Sequence, residues 1–305
     1  MIPAGLRQVM LRQQYRLAGS HSAVKVCNWT KRALRGKGSC YKQRFYGIQS
    51  HRCLQMTPWL DCPNMCLYCW RMVEHVMLRE PKSQAIDEPG AIIDSCVESQ
   101  RKLLSGFKGF ADVDIAKWRE AQEPNQAAIS LAGEPTLYPR ISDLIGEFKR
   151  RGFTAFLVTN GQFPERLRNM EEPTNLHISL DAPDEETYKK TDRPTLPGFW
   201  KRMNESLGLM PSFSCTKVIR LTMVKGLNMA NPRGYAKLIG LASPDFIEVK
   251  GYMFVGFSRR RLRRENMPSH LEVRDFASRV AELSGYQYKD EHEESRVVLL
   301  SKRCP

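Results

Sequence analysis

Six of the chain's nine cysteines fall within residues 27–69, in two sets of three. Cys62, Cys66 and Cys69 are spaced C-x3-C-x2-C, and Cys27, Cys40 and Cys53 are spaced C-x12-C-x12-C. The first set lies on one short loop, Cys62-Pro63-Asn64-Met65-Cys66-Leu67-Tyr68-Cys69. Three thiolates so placed can hold three irons of a [4Fe–4S] cube and leave the fourth iron open to a small molecule. A closed zinc site normally takes four ligands, so a zinc reading needs a distant donor such as His75. The second set cannot share one helix face, and its thiols can meet only through folded loops. Disulfides fit poorly, because the cysteine count is odd and no secretion signal is visible. For the second set three readings stand: a second [4Fe–4S] cluster, three buried thiols, or a zinc site completed by His21 or His51. Cys96, Cys215 and Cys304 match no motif and read as buried thiols. His75 and His177 read as structural.

Charge is as unevenly placed as the cysteines. The chain carries a net +14, and residues 1–60 hold 11 Lys and Arg with no acid before Asp61. Such an arm suits a polyanion, most often nucleic acid. A second basic run, Arg259, Arg260, Arg261, Arg263 and Arg264, follows Gly256-Phe257-Ser258. No uncharged apolar run approaches the roughly 20 residues of a membrane span. The reading is a cytoplasmic protein with no membrane partner.

With 305 residues, 42% of them apolar, the chain can bury one large core. Strand candidates are 127–131, 154–159, 176–180, 217–223 and 246–250, each bounded by Gly, Pro or Asn. Helical patterns lie at 91–104, 141–151, 184–190, 199–210 and 234–242. Alternation of this kind implies a parallel sheet with crossover helices. A first strand just before Cys62 brings the number to about six. That makes the fold class α/β, a partial (β/α)6 TIM-like barrel with working loops at the strands' C-terminal ends. Residues 59–305 form the barrel and its C-terminal extension, with a late helix at 271–284 and a last strand at 295–302. Residues 1–58 form a basic, irregular extension packed on it, with a helical piece around 6–17.

Downstream motifs give the first cysteine loop its context. Leu131-Ala132-Gly133-Glu134-Pro135 follows the second strand. Val158-Thr159-Asn160-Gly161, His177-Ile178-Ser179-Leu180-Asp181-Ala182, Ile219-Arg220-Leu221-Thr222 and Glu248-Val249-Lys250-Gly251 end or occupy the later ones. This ordered series, after a cysteine loop with an aromatic (Tyr68) before its third thiol, resembles the radical S-adenosylmethionine (SAM) superfamily. The resemblance implies that Cys62, Cys66 and Cys69 hold the SAM-binding [4Fe–4S] cluster. It also implies SAM contacts from Gly133, Glu134, Thr159, Asn160, Ser179, Asp181 and Arg220. An ammonium needs acceptors, and glycine lets backbone come close.

From about Cys27 to the C-terminus the chain resembles one family within it, the tRNA 4-demethylwyosine synthases. Cys40-Tyr41-Lys42-Gln43-Arg44-Phe45-Tyr46-Gly47-Ile48 and Cys53-Leu54-Gln55-Met56-Thr57-Pro58 carry that likeness, as do Ser179–Ala182 and Arg296–Leu300. The family implies a second [4Fe–4S] cluster on Cys27, Cys40 and Cys53. Its partner is tRNA-Phe with N1-methylguanosine at position 37, and pyruvate is the co-substrate. An adenosyl radical takes hydrogen from the N1-methyl group, and the resulting methylene radical adds to the pyruvate carbonyl. The carboxyl carbon then leaves and a third ring closes, a lyase reaction. Lys42 is the implied Schiff-base residue, since a neutral amine condenses with a ketone. The Arg259–Arg264 run and the N-terminal arm are the implied RNA surface. The target base must leave its stack to react. The chain resembles the short archaeal form without the flavodoxin-like domain, so it needs a separate electron donor. It reads as a monomer. Competing readings are another radical SAM enzyme acting on RNA or peptide, and a zinc-stabilised RNA-binding protein.

Overall fold

The computed structural model describes residues 4–73 and 86–302. His75 and Cys304 lie outside the described residues. The chain divides into two compact units. Among the described residues, 4–61, 86–158 and 170–174 make up the first, and 62–73, 159–169 and 175–302 the second.

In the first unit the chain runs α1 (Ala4–Arg12), β1 (Arg16–Ala18), β2 (Ser22–Val24), α2 (Asn28–Leu34), α3 (Tyr41–Tyr46) and β3 (Cys53–Thr57). It continues through α4 (Pro89–Leu104), α5 (Ile115–Glu120), β4 (Gln126–Ile129), α6 (Ile141–Arg150) and β5 (Thr154–Thr159), whose last residue passes into the second unit. β1 and β2 form a hairpin, and β2 pairs antiparallel with β3. From β3 the pairing turns parallel, β3 with β4 and β4 with β5. All four residues of β4 are buried, as a parallel strand covered on both faces requires. In α6, Ile141, Leu144, Ile145 and Phe148 are buried at the i, i+3, i+4, i+7 spacing of one helix stripe.

The second unit holds α7 (Pro164–Leu167), β6 (Asn175–Ser179), α8 (Glu185–Thr191), α9 (Phe199–Leu209), β7 (Thr216–Met223) and α10 (Pro232–Ala242). β8 (Phe246–Gly251), α11 (His270–Ser284), β9 (Tyr286–His292) and β10 (Val297–Lys302) complete it. β6, β7 and β8 are parallel, and β10 lies antiparallel between β8 and β9. Each unit thus contributes three parallel strands with helices between them, which is the six-strand pattern expected.

Two expectations need correction. The described part of the extension, residues 4–58, is not irregular: it carries a hairpin, three helices and β3, which begins at Cys53. β1 and β2 are only three residues each, too short for an alternation to register. The last strand is one of a pair. Its partner, Tyr286-Gln287-Tyr288-Lys289-Asp290-Glu291-His292, is an exposed edge rich in polar groups, the composition an edge strand uses to discourage further pairing.

α11 shows how firmly a local signal can set an element. Ser269 caps its first turn, with Glu272 reaching back in a capping box, and Gly285 ends it at φ 75°. Ser269→Ala is expected to cost about 1 kcal/mol of stability, readable as a lower thermal midpoint.

Candidate active site

The cysteine loop of the second unit is held by the segment after α8. Leu67 N donates to Thr191 O at 2.9 Å, Met65 N to Arg193 O at 3.2 Å, and Thr195 N to Pro63 O at 2.8 Å. Asn64 and Pro194 form an isolated antiparallel bridge. Asn64 Nδ2 also donates to the Tyr188 hydroxyl at 2.8 Å. The loop therefore behaves as a short strand laid against residues 191–195, which fixes where its three thiols point.

Side chains complete the brace. Asn160 Nδ2 approaches Cys62 Sγ at 3.6 Å, and Cys66 Sγ donates to Asp192 Oδ1 at 3.3 Å. The Tyr68 hydroxyl lies 2.6 Å from Asp181 Oδ2 and 2.6 Å from Asp192 Oδ1. One phenol hydrogen cannot serve two carboxylates at once, so the second contact calls for an acid proton. Burial first, and then the neighbouring Asp181 charge, push the Asp192 carboxyl up to about 7. Burial likewise raises Asp181, against hydrogen bonds from Tyr68 and Thr222. Thr222 N donates to Asp181 Oδ1 at 2.5 Å. Burial, with Asp192 and the other two thiols, pushes the Cys66 thiol up as well. A group of positive charge at the loop would relieve all three.

The other residues expected around SAM are described within their own units. In the second, Arg220 Nε donates to the fully buried Glu248 at 2.8 Å, and Ser179 is register partner to Arg220. Thr159 Oγ1 accepts from Gly161 N at 3.1 Å, so the strand-end turn is locked by its own side chain. In the first unit, buried Glu134 accepts from Thr136 N at 3.1 Å and Thr136 Oγ1 at 2.6 Å. Gly133 has φ 63°, and a Cβ there would run into the carbonyl of Trp59 and the backbone of Leu60. Gly133→Ala is therefore expected to displace this turn and lower the thermal midpoint.

The second cysteine set converges in the first unit, and Ser50 is its knot. Cys27 caps α2, its Sγ accepting from Thr30 N at 3.3 Å. Thr30 Oγ1 donates to Ser50 O at 2.9 Å, and Ser50 Oγ accepts from Cys40 N at 2.9 Å. Cys40 caps α3, and Cys53 opens β3 three residues beyond Ser50. The thiols feel one another: burial pushes Cys53 up, Cys27 and Cys40 push it the same way, and Lys42 pulls it down. Among the described residues, no three His, Cys, Asp or Glu side chains close on a single metal ion. Lys42, on the first turn of α3, is 8% exposed and holds its Nζ 5.0 Å from the Phe156 ring centre.

Comparison with known proteins gives two family matches. The radical SAM superfamily matches residues 56–239, and the wyosine base formation family matches residues 241–302. The SAM-dependent tRNA 4-demethylwyosine synthase of Pyrococcus horikoshii is 49% identical over 99% of this chain and 90% of its own. This chain belongs to the tRNA 4-demethylwyosine synthase family. The Oryza sativa synthase is 42% identical over 99% of this chain but only 47% of its own length. A solved structure of TYW1 with a lysine–pyruvate adduct bound aligns at a TM-score of 0.90 and 36% identity, covering 99% of this chain and 97% of that one. An archaeal TYW1 crystal structure aligns at 0.82 and 33%, with the same coverage. The fold is the partial barrel of the radical SAM superfamily.

Within this synthase-family fold the five arginines after β8 divide. Arg259, Arg260, Arg263 and Arg264 are exposed. Arg260 stacks 4.7 Å over Phe257 and Arg259 lies 5.4 Å over Phe254. Arg261 is half-buried, and its guanidinium donates to the carbonyls of Leu67, Cys69 and Arg71. It braces the cysteine loop through these carbonyls. Gly256 packs as closely, for a Cβ there would strike the Trp70 carbonyl. Sequence reasoning missed Asp192, whose Thr-Asp-Arg-Pro-Thr setting reads only as a helix end. It also missed Ser50, which no spacing marks.

Proposed function

We propose that this chain makes 4-demethylwyosine from N1-methylguanosine 37 of tRNA-Phe and pyruvate. The observation that carries the reading is Lys42: buried, two residues after the cysteine at the N-cap position of α3, and within electrostatic reach of Cys53. The relative with a lysine–pyruvate adduct, 36% identical across nearly the whole chain, supports a covalent role for it. In that role the Lys42 amine adds to the pyruvate carbonyl carbon and water leaves, forming an imine. Burial favours this, because bulk water would drive the imine back to ketone.

Bound by Cys62, Cys66 and Cys69, a [4Fe–4S] cluster would supply the electron that cleaves SAM to a carbon-centred radical. The chain's own residues do the rest of the work around it. Asp192, Tyr68 and Arg261 hold the loop. Gly133 and Glu134 receive the SAM ammonium, and Thr159, Asn160, Ser179, Asp181 and Arg220 orient the remainder of the cofactor. Cys27, Cys40 and Cys53 hold a second [4Fe–4S] cluster beside Lys42. The exposed arginines 259, 260, 263 and 264 meet tRNA phosphates, whose neutralisation makes binding fall steeply with salt. The electron comes from a separate donor, and the chain works as a cytoplasmic monomer. No described helix is long and apolar enough to cross a membrane.

Anaerobic reconstitution with iron and sulfide tests the reading. With SAM, dithionite and pyruvate, tRNA carrying N1-methylguanosine should yield the tricyclic base, and the same tRNA carrying plain guanosine should not. Equal conversion of both, or of neither, contradicts it.

A further inference from the structure

The first unit contains a cavity of about 700 Å³ between α1, β1, α2 and the segment that follows α4. That size is in the range of small-ligand pockets. Its walls carry five cations, Arg16, Lys31, Arg32, Arg35 and Lys37, and no acid among the described lining residues. Asp112, just outside, takes Lys37 at 2.6 Å and Arg35 more loosely at 3.6 Å, which leaves the site strongly positive.

Aromatic residues share the lining. They are Tyr15, Phe107 and Phe110; Phe110 is 49% exposed, and Arg35 lies 4.4 Å over its ring. A pocket for an apolar ligand does not need five cations, and a bare phosphate site does not need three rings. Cations beside an exposed ring are what a single-stranded nucleotide asks for, its phosphate on the guanidinium and its base on the aromatic face.

The position fits as well. Asn28 lines the cavity and directly follows Cys27, while Arg35 caps the far end of α2. A seven-residue helix spans only about 10 Å, so the pocket runs along α2 from the residue beside Cys27 to Arg35.

We propose that this cavity takes a nucleotide of the substrate RNA other than the one that reacts, with Lys31 and Arg35 on its phosphate and Phe110 under its base. The proposal rests on the function above for the identity of the RNA. It adds a second anchor that fixes the register of the anticodon loop.

The test measures binding of fluorescent tRNA-Phe carrying N1-methylguanosine to the reconstituted full chain, by anisotropy, from 50 to 200 mM salt. The Lys31→Glu/Arg35→Glu double variant should bind at least tenfold more weakly, with the slope of log K against log salt reduced by one to two. Phe110→Ser should weaken binding about tenfold with the slope unchanged, since stacking carries no counterion release. Iron content and thermal midpoint near wild type confirm that the variants are folded. Wild-type affinity and slope in both variants would overturn the proposal. So would unchanged RNA binding with loss of reduction by flavodoxin but not by dithionite, which would make the pocket a dock for an acidic electron-transfer protein. Conversion of the base by wild-type enzyme is scored separately, so failure of the proposed activity is distinguishable from failure of the pocket.

Discussion

Cys62→Ala is expected to abolish SAM cleavage, with 5′-deoxyadenosine release at least a thousandfold below wild type. The loop offers three thiols and no substitute. Its other polar neighbours are already engaged: Asn64 on Tyr188, Tyr68 between two aspartates, and Arg261 on three carbonyls. Removing one of three ligands would strip a cluster of a corner that none of these described neighbours is free to refill. The loop itself should survive, because its hold on residues 191–195 is made by backbone groups that the substitution leaves alone. Iron content should fall from about eight per chain to about four, and the thermal midpoint of the apoprotein should hardly change. SAM cleavage at even a tenth of the wild-type rate would move the cofactor site away from this loop.

Lys42→Ala should produce a different failure. SAM cleavage without product continues, because Cys62, Cys66 and Cys69 are untouched. The tricyclic base should drop at least a hundredfold, because the ketone loses its covalent partner. Lys42→Arg should fail equally, since it keeps the charge but a guanidinium does not condense with a ketone. Cyanoborohydride with pyruvate should add a stable mass to the peptide that contains Lys42 in wild type and in neither variant. If Lys42→Arg formed product at the wild-type rate, the lysine would be acting through charge alone.

Much of the barrel could be read before any coordinates, and particular residues show why. β5 falls on the expected 154–159, and β7 and β8 differ from expectation by a residue at one end. Those strands are buried apolar runs ended by turn residues, the signal that survives folding best. α6 and α9 kept their stripe because one face meets the core along the whole helix. Residues 1–58 were opaque for the opposite reason. β1 and β2 hold three residues each; β1 pairs with β2, and β2 is placed by pairing with β3, some thirty residues on.

The candidate site divides along the same line. Cysteine spacing drew out the two sets of thiols, because metal chemistry restricts residue type. What orients them is tertiary. Asp192 reaches Cys66 from 126 positions away, and Arg261 reaches Leu67 from 194. Arg261, which charge alone would assign to RNA, has its guanidinium on the cysteine loop.

The most direct measurement is the mass of the modified nucleoside after reaction with labelled pyruvate. Pyruvate carrying carbon-13 at C2 and C3 should give a tricyclic base two mass units heavier, and pyruvate labelled at C1 alone should give no increase. Retention of the C1 label, or a tricyclic base that carries no pyruvate carbon, would contradict the account.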